Sequence, residues 1–185
     1  GDALNVTVSA STLVTNNQLK VGGQKVDYSG VGVLNINGTV AGTIYNIRST
    51  SKVTTTNLFT FGAGNVINVG SNAGVTPVVA GNVNSILGAL TITGNGSDTL
   101  NVDDTGSSTA KTGSLTASAL TGLETGGIGY SGLAELNISL GSGDDTLTVV
   151  STNALTVTTL NLGLGNDTVN VGNVLDVFAG ELNVN

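Results

Sequence analysis

The chain has 185 residues, of which 9% are charged and 3% aromatic, and its formal net charge is −7. Five scattered bases give no surface for nucleic acid, and the supply of Val, Leu, Ile and Ala is too rich for a disordered chain. There is no Cys, which excludes a disulfide framework, and no His, which removes the hydrolase triads and the usual zinc ligands.

No apolar run is long enough to form a membrane-spanning helix. The chain also lacks Met, which points to a processed protein or a piece of a longer one. Its 28 glycines, one proline and many Thr and Asn residues predict short strands joined by tight turns.

In chain order, strands are predicted at residues 4–6, 18–21, 33–36, 43–47, 58–61, 67–69 and 155–157, with partners between them. Each alternates apolar and polar residues with a period of two, and no segment carries a helical period. Glycine corners separate them: Gly62-Ala-Gly-Asn65, Gly94-Asn-Gly-Ser-Asp98, Gly141-Ser-Gly-Asp-Asp145 and Gly163-Leu-Gly-Asn-Asp167. Glycine supplies the sharp turn, and Asn or Asp bonds nearby backbone. Residues 122–132 read as a glycine-rich loop.

The chain repeats itself. Tyr28-Ser-Gly30 recurs as Tyr130-Ser-Gly132, 102 positions on, and the same offset carries Leu34-Asn-Ile36 onto Leu136-Asn-Ile138 and Asn68-Val-Gly70 onto Asn170-Val-Gly172. Asp2-Ala-Leu-Asn-Val6 matches Asp98-Thr-Leu-Asn-Val102, and Gly88-Ala-Leu-Thr-Ile-Thr93 matches Gly180-Glu-Leu-Asn-Val-Asn185. The chain therefore divides into two copies of one module, 1–96 and 97–185. Its last residues are the front half of a strand–corner–strand unit and its first residues the back half. Joined head to tail, they complete one more unit. Gly1, Asp2, Leu4, Val6, Leu182, Val184 and Asn185 are the predicted assembly residues.

Corner spacing selects the fold. Strands entering the corners end near Phe61, Thr93, Leu140, Leu162 and Asn185; the last two steps are 22 and 23 residues, and that from Thr93 to Leu140 is 47, close to two such periods. This predicts an all-β parallel β-solenoid, or β-helix, with rungs of about 20–25 residues that bury small branched side chains against one another. Tandem β-sandwich modules are the alternative, without the core Trp or Cys pair of immunoglobulin-like domains.

The acidic corners carry two readings. Asp144, Asp145 and Asp167 resemble the glycine–aspartate turns of repeats-in-toxin proteins, and that resemblance implies Ca²⁺ held by stacked carboxylates and carbonyls. The simpler reading is a glycine turn capped by Asp. Asp144 and Asp145 fall on Gly42 and Thr43 of the first copy, and Asp167 is matched by motif with Val66, so the turn folds without an acid. No cofactor is expected on this reading. Asp103-Asp104 reads as a solvated turn. Asn-x-Ser/Thr sequences at Asn5, Asn37, Asn95, Asn137 and Asn166 arise readily in so Asn- and Thr-rich a chain. Without aligned acids and bases or an activated nucleophile, the chain is read as no enzyme, and a carbohydrate-active β-helix ranks last.

Together Gly96-Ser-Asp-Thr-Leu-Asn-Val-Asp-Asp-Thr-Gly106, Tyr130-Ser-Gly-Leu133, Leu136-Asn-Ile138 and Gly143-Asp-Asp-Thr-Leu-Thr-Val149 resemble the roughly hundred-residue tandem repeats of very large bacterial surface proteins, those of planctomycetes among them. The resemblance implies an extracellular or cell-surface location and a structural or adhesive role. The expected partner is the module itself, stacked head to tail in a homopolymer or beside neighbouring repeats of one chain. Nucleic acid and membrane insertion are not expected. A calcium-dependent adhesin is the second functional class.

Overall fold

The computed structural model of the chain describes residues 1–172 and 179–185. Among these residues the structure is strand and turn, without a helix. The strands are β1 (Ala3–Val8), β2 (Thr12–Val14), β3 (Gln18–Val21), β4 (Gln24–Asp27), β5 (Val33–Gly38), β6 (Ile44–Ile47), β7 (Thr55–Thr60) and β8 (Val66–Val69). Beyond them come β9 (Leu90–Asp103), β10 (Thr112–Leu115), β11 (Ala119–Thr121), β12 (Ile128–Ser139), β13 (Thr146–Val149), β14 (Val157–Asn161), β15 (Thr168–Val171) and β16 (Leu182–Val184). They form one mixed sheet that does not close into a barrel.

Most pairs are parallel. Asn35 faces Asn57, Asn46 faces Asn68 and Ser139 faces Asn161, each 22 residues apart. Other steps are longer where the chain inserts the antiparallel excursions β2–β3–β4 and β10–β11–β12, or the segment 70–89 between β8 and β9. The pairing traces two lines of strands. One runs β1, β5, β7, the first part of β9, the first part of β12, β11, β10, β13, β15. The other runs β4, β3, β2, β6, β8, the second part of β9, the second part of β12, β14, β16.

β9 and β12 belong to both lines, and this corrects two sequence expectations. Residues 94–98, expected as a corner between two strands, are continuous strand within β9 beside the 61–65 corner, with Gly96 at φ 94°, and residues 128–132 are not loop but the start of β12. The cause is close contact between backbones. A Cβ on Gly94 would lie 2.2 Å from the Gly132 carbonyl oxygen, and one on Gly132 would lie 2.3 Å from that of Gly94. Here the glycines combine close strand approach with the passage from one line to the other, Gly96 and Gly132 having φ of 94° and 65°, and the register shifts between Ser131 and Glu135.

Alternation places every second side chain inside. Leu34, Ile36 and Ile92 are fully buried along one line, and Ile47, Ile67 and Leu100 along the other. All belong to one apolar cluster, each such side chain contributing about 1.5–3 kcal/mol by leaving water.

Local bonds recur in the two copies. Thr50 Oγ1 donates to the Gly88 carbonyl at 2.8 Å, as Thr152 Oγ1 does to that of Gly180 at 2.9 Å. Thr54 Oγ1 donates to the Val31 carbonyl at 2.6 Å, and Thr156 Oγ1 to that of Leu133 at 2.8 Å. Tyr28 and Tyr130 hydroxyls reach the carbonyls of Thr15 and Thr116. The boundary between residues 96 and 97 falls inside β9, so the copies share a strand rather than a linker.

Candidate functional site

The acids of the corners act on backbone. At four strand entries a side-chain oxygen accepts the N–H at the neighbouring strand's entry. Asn65 Oδ1 accepts from the Thr43 N–H at 2.9 Å, and Asp98 Oδ1 from the Asn65 N–H at 2.8 Å. Asp145 Oδ1 accepts from the Lys111 N–H at 2.7 Å, and Asp167 Oδ1 from the Asp145 N–H at 2.8 Å. These N–H groups lie just outside the strand ladders, where an unpaired buried donor is costly.

Asp144, Asp145 and Asp167 do lie on adjacent strand entries, as their spacing implies. Asp144 is exposed and accepts from the Asn166 N–H at 2.9 Å, while Asp145 is buried. Each carboxylate thus commits an oxygen to a backbone amide. Among the described residues no group of three or more acidic side chains is placed to hold a metal ion. The match of Asp167 with Val66 is one residue out. Thr168 is level with Thr146 and Val66 with Ile44, so Asp167 takes the place of Asn65. An amide oxygen does the same work there in the first copy.

Asp103 and Asp104 also depart from expectation. Asp103 Oδ2 accepts from the Gly81 N–H at 2.9 Å, and Asp104, wholly buried, accepts from the Val83 N–H at 3.0 Å. The pair holds the 81–83 segment and is no solvated turn.

A second device joins strands. Asn68 Nδ2 donates to Asn46 Oδ1 at 3.0 Å, Asn101 to Asn68 at 2.9 Å and Asn137 to Asn101 at 3.0 Å. A shorter ladder links Asn57, Asn35 and Asn5 at 2.8 Å per bond. Each amide both donates and accepts, so a ladder can continue wherever another Asn follows.

The predicted assembly residues lie at strand edges. Among the described residues β1, β4, β15 and β16 each pair with a single strand. The repeat says what their other sides match. β1 corresponds to the second part of β9, which β8 covers, with Val66 facing Thr99 and Val69 facing Val102. β15 corresponds to β8. Likewise β16 corresponds to the first part of β9, whose outer neighbour is the first part of β12, the counterpart of the end of β4. At these edges Gly1, Asp2 and Asn185 are exposed, while Leu4, Val6 and Leu182 are half-buried. Val26, Val171 and Val184 are 40%, 48% and 44% exposed.

The same positions thus appear twice, once paired and once open. Asp98 is wholly buried, accepting from the Thr60 hydroxyl at 2.6 Å and from Asn65 Nδ2 at 3.0 Å, whereas its counterpart Asp2 is exposed. Asn101 and Asn68 are bonded, whereas their counterparts Asn5 and Asn170 are exposed. Sequence reading found Asp2 but missed β4 and β15. β15 could have been found through its match with β8. β4 carries no signal, since all four of its residues are exposed and Gln-Lys-Val-Asp does not alternate.

Comparison of the chain with protein-family models, with curated proteins and with solved structures gives no match.

Proposed function

We propose that the chain is a structural module of an extracellular fibre or surface protein, a β-solenoid whose ends stack on equivalent units. The next unit is either a further repeat of the same polypeptide or a second copy, and both make the same joint. The observation that carries this reading is the internal junction between β8, β9 and β12, whose parts recur unpaired at the two ends. The register follows from the repeat. Ala3 comes opposite Thr168 and Val6 opposite Val171, while Asn183 comes opposite Asp27. Asn5 Nδ2 then continues the ladder onto Asn170, and Asp2 caps the Asp167 N–H. The dominant parallel pairing and its 22-residue steps support the solenoid reading over tandem sandwiches.

Backbone capping accounts for one oxygen of Asp144, of Asp145 and of Asp167 without a cation. The proposal is tested by following the size of the purified chain by light scattering as concentration rises. Growth into linear oligomers is expected. A chain that stays monomeric at high concentration, and whose Asp167→Asn variant does the same, contradicts association between separate copies.

A further inference from the structure

A buried charged cluster sits where the second copy begins. The Lys111 side chain is 12% exposed, and its Nζ donates to the Leu123 carbonyl at 2.7 Å and to Asn84 Oδ1 at 2.5 Å. It lies 3.8 Å from Asp104 Oδ2. Asp104 is wholly enclosed. Its Oδ1 takes the Val83 N–H at 3.0 Å, and its Oδ2 has no hydrogen-bond partner. Glu124 is 9% exposed, and neither of its oxygens has a partner. Lys111 and Glu124 line one cavity.

Burial raises the pKa of Asp104 against the pull of the Val83 N–H and Lys111, and burial pushes that of Glu124 up to about 7. The fold does not need these charges. In the first copy Val8 stands in place of Asp104 and Ala10 in place of Lys111, and the turn that corresponds to the Glu124 loop is Gly22-Gly23. Three ionisable groups appear together where the other copy has none. As ions they carry a desolvation cost that a neutral product would remove.

We infer that Lys111 and Asp104 join as a side-chain amide, with Glu124 as the acid–base group that moves the proton. Transfer of an ammonium proton from Lys111 to Asp104 leaves a neutral amine facing a neutral carboxylic acid. The Nζ lone pair attacks Asp104 Cγ and a C–N bond forms. The Val83 N–H, already on Oδ1, stabilises the oxyanion. Glu124 takes the proton from nitrogen and gives it to the Oδ2 hydroxyl, the C–O bond breaks, and water leaves. No oxidant, metal or cofactor enters the balance. The product pins the end of β9 to the start of β10, at the corner where one copy passes into the next.

The intact mass of the folded, purified chain tests this directly. It is expected to be lighter than the sequence by one water, with trypsin failing to cut after Lys111 and the cross-linked peptide carrying Asp104. Lys111→Ala and Asp104→Ala restore the full mass. Glu124→Gln is expected to slow the loss of water by about 10²-fold or more. A folded wild-type chain that keeps its full mass on prolonged incubation overturns the inference. So does a loss of ammonia with the cross-link mapped to Asn84. A Glu124→Gln chain that cross-links at the wild-type rate removes Glu124 from the step.

Discussion

Asp98 and Asp2 occupy one repeat position and differ in what surrounds them. Asp98 accepts from two backbone N–H groups, a hydroxyl and an amide, all inside the junction. Asp98→Ala leaves those donors without an acceptor and is expected to cost about 3 kcal/mol or more in chemical denaturation. Asp2→Ala in the isolated chain should change stability by no more than about 0.5 kcal/mol, as for an exposed surface residue. Glu124 gives the pH dependence. Its pKa rises from the ordinary 4.5 to about 7, so the folded state binds the proton more tightly than the unfolded one. That stabilisation is complete below 4.5 and is lost as pH rises through about 7, at a cost of about 3 kcal/mol. Glu124→Gln is expected to flatten the stability profile across this window and to be the more stable chain at about pH 8. Amide formation at Lys111 leaves the direction unchanged, because it removes a cation that lowers the Glu124 pKa. The corner acids were legible in the sequence as backbone caps, but not which amides they cap. Capping depends on which strand lies alongside, and Asn65 carries no acid to mark it.

The strands were legible because alternation reports burial. Leu34, Ile36, Leu58 and Ile92 are inside as their spacing requires. β9 was not legible as one strand, since Gly94-Asn-Gly-Ser-Asp98 has the residues of a turn. What keeps it a continuous strand is the backbone of β12 passing at Gly132, a contact with no local sequence signature. The edge strands carry their own test. In β15 the N–H groups of Thr168 and Gly172 point to β13, so those of Val169 and Val171 point outward. Val171→Pro removes an outward donor and is expected to leave the thermal midpoint of the single chain nearly unchanged while abolishing end-to-end growth. An equal loss of stability and assembly would place Val171 inside the fold rather than at a joint. Asp167 acts at the same edge. Inside the chain Asn65 Nδ2 donates to Asp98, whereas at the proposed outer joint Asp167 would meet Asp2 as a second carboxylate. Asp167→Asn restores the donor and is expected to tighten association by about tenfold, with a weaker dependence on salt, as measured by sedimentation.

The two-copy plan was visible in the 102-residue offset, but the exchange between lines was not. Strands β1, β5, β7 and the first part of β9 lie in one line, and their counterparts in the second copy lie in the other. The exchange runs through β9 and β12, two strands that belong to both lines, which no local pattern encodes. Among the described residues each line has nine strands, which at about 4.8 Å apart give about 43 Å of axial length. A fibre of stacked copies should show that repeat by electron microscopy, together with the strand spacing itself. The joint between units can be built covalently. Asn185 matches Thr93 and Gly1 matches Ser97, so Gly94-Asn95-Gly96 supplies the connection between two chains fused in tandem. The thermal unfolding of this fusion tests the stacking account most directly. The account predicts one cooperative transition at a higher midpoint than the single chain, with the amides of Ala3, Asn5, Val169 and Val171 at the new joint protected from hydrogen exchange. Two halves that unfold at the single-chain midpoint, with those amides still exchanging freely, would contradict it.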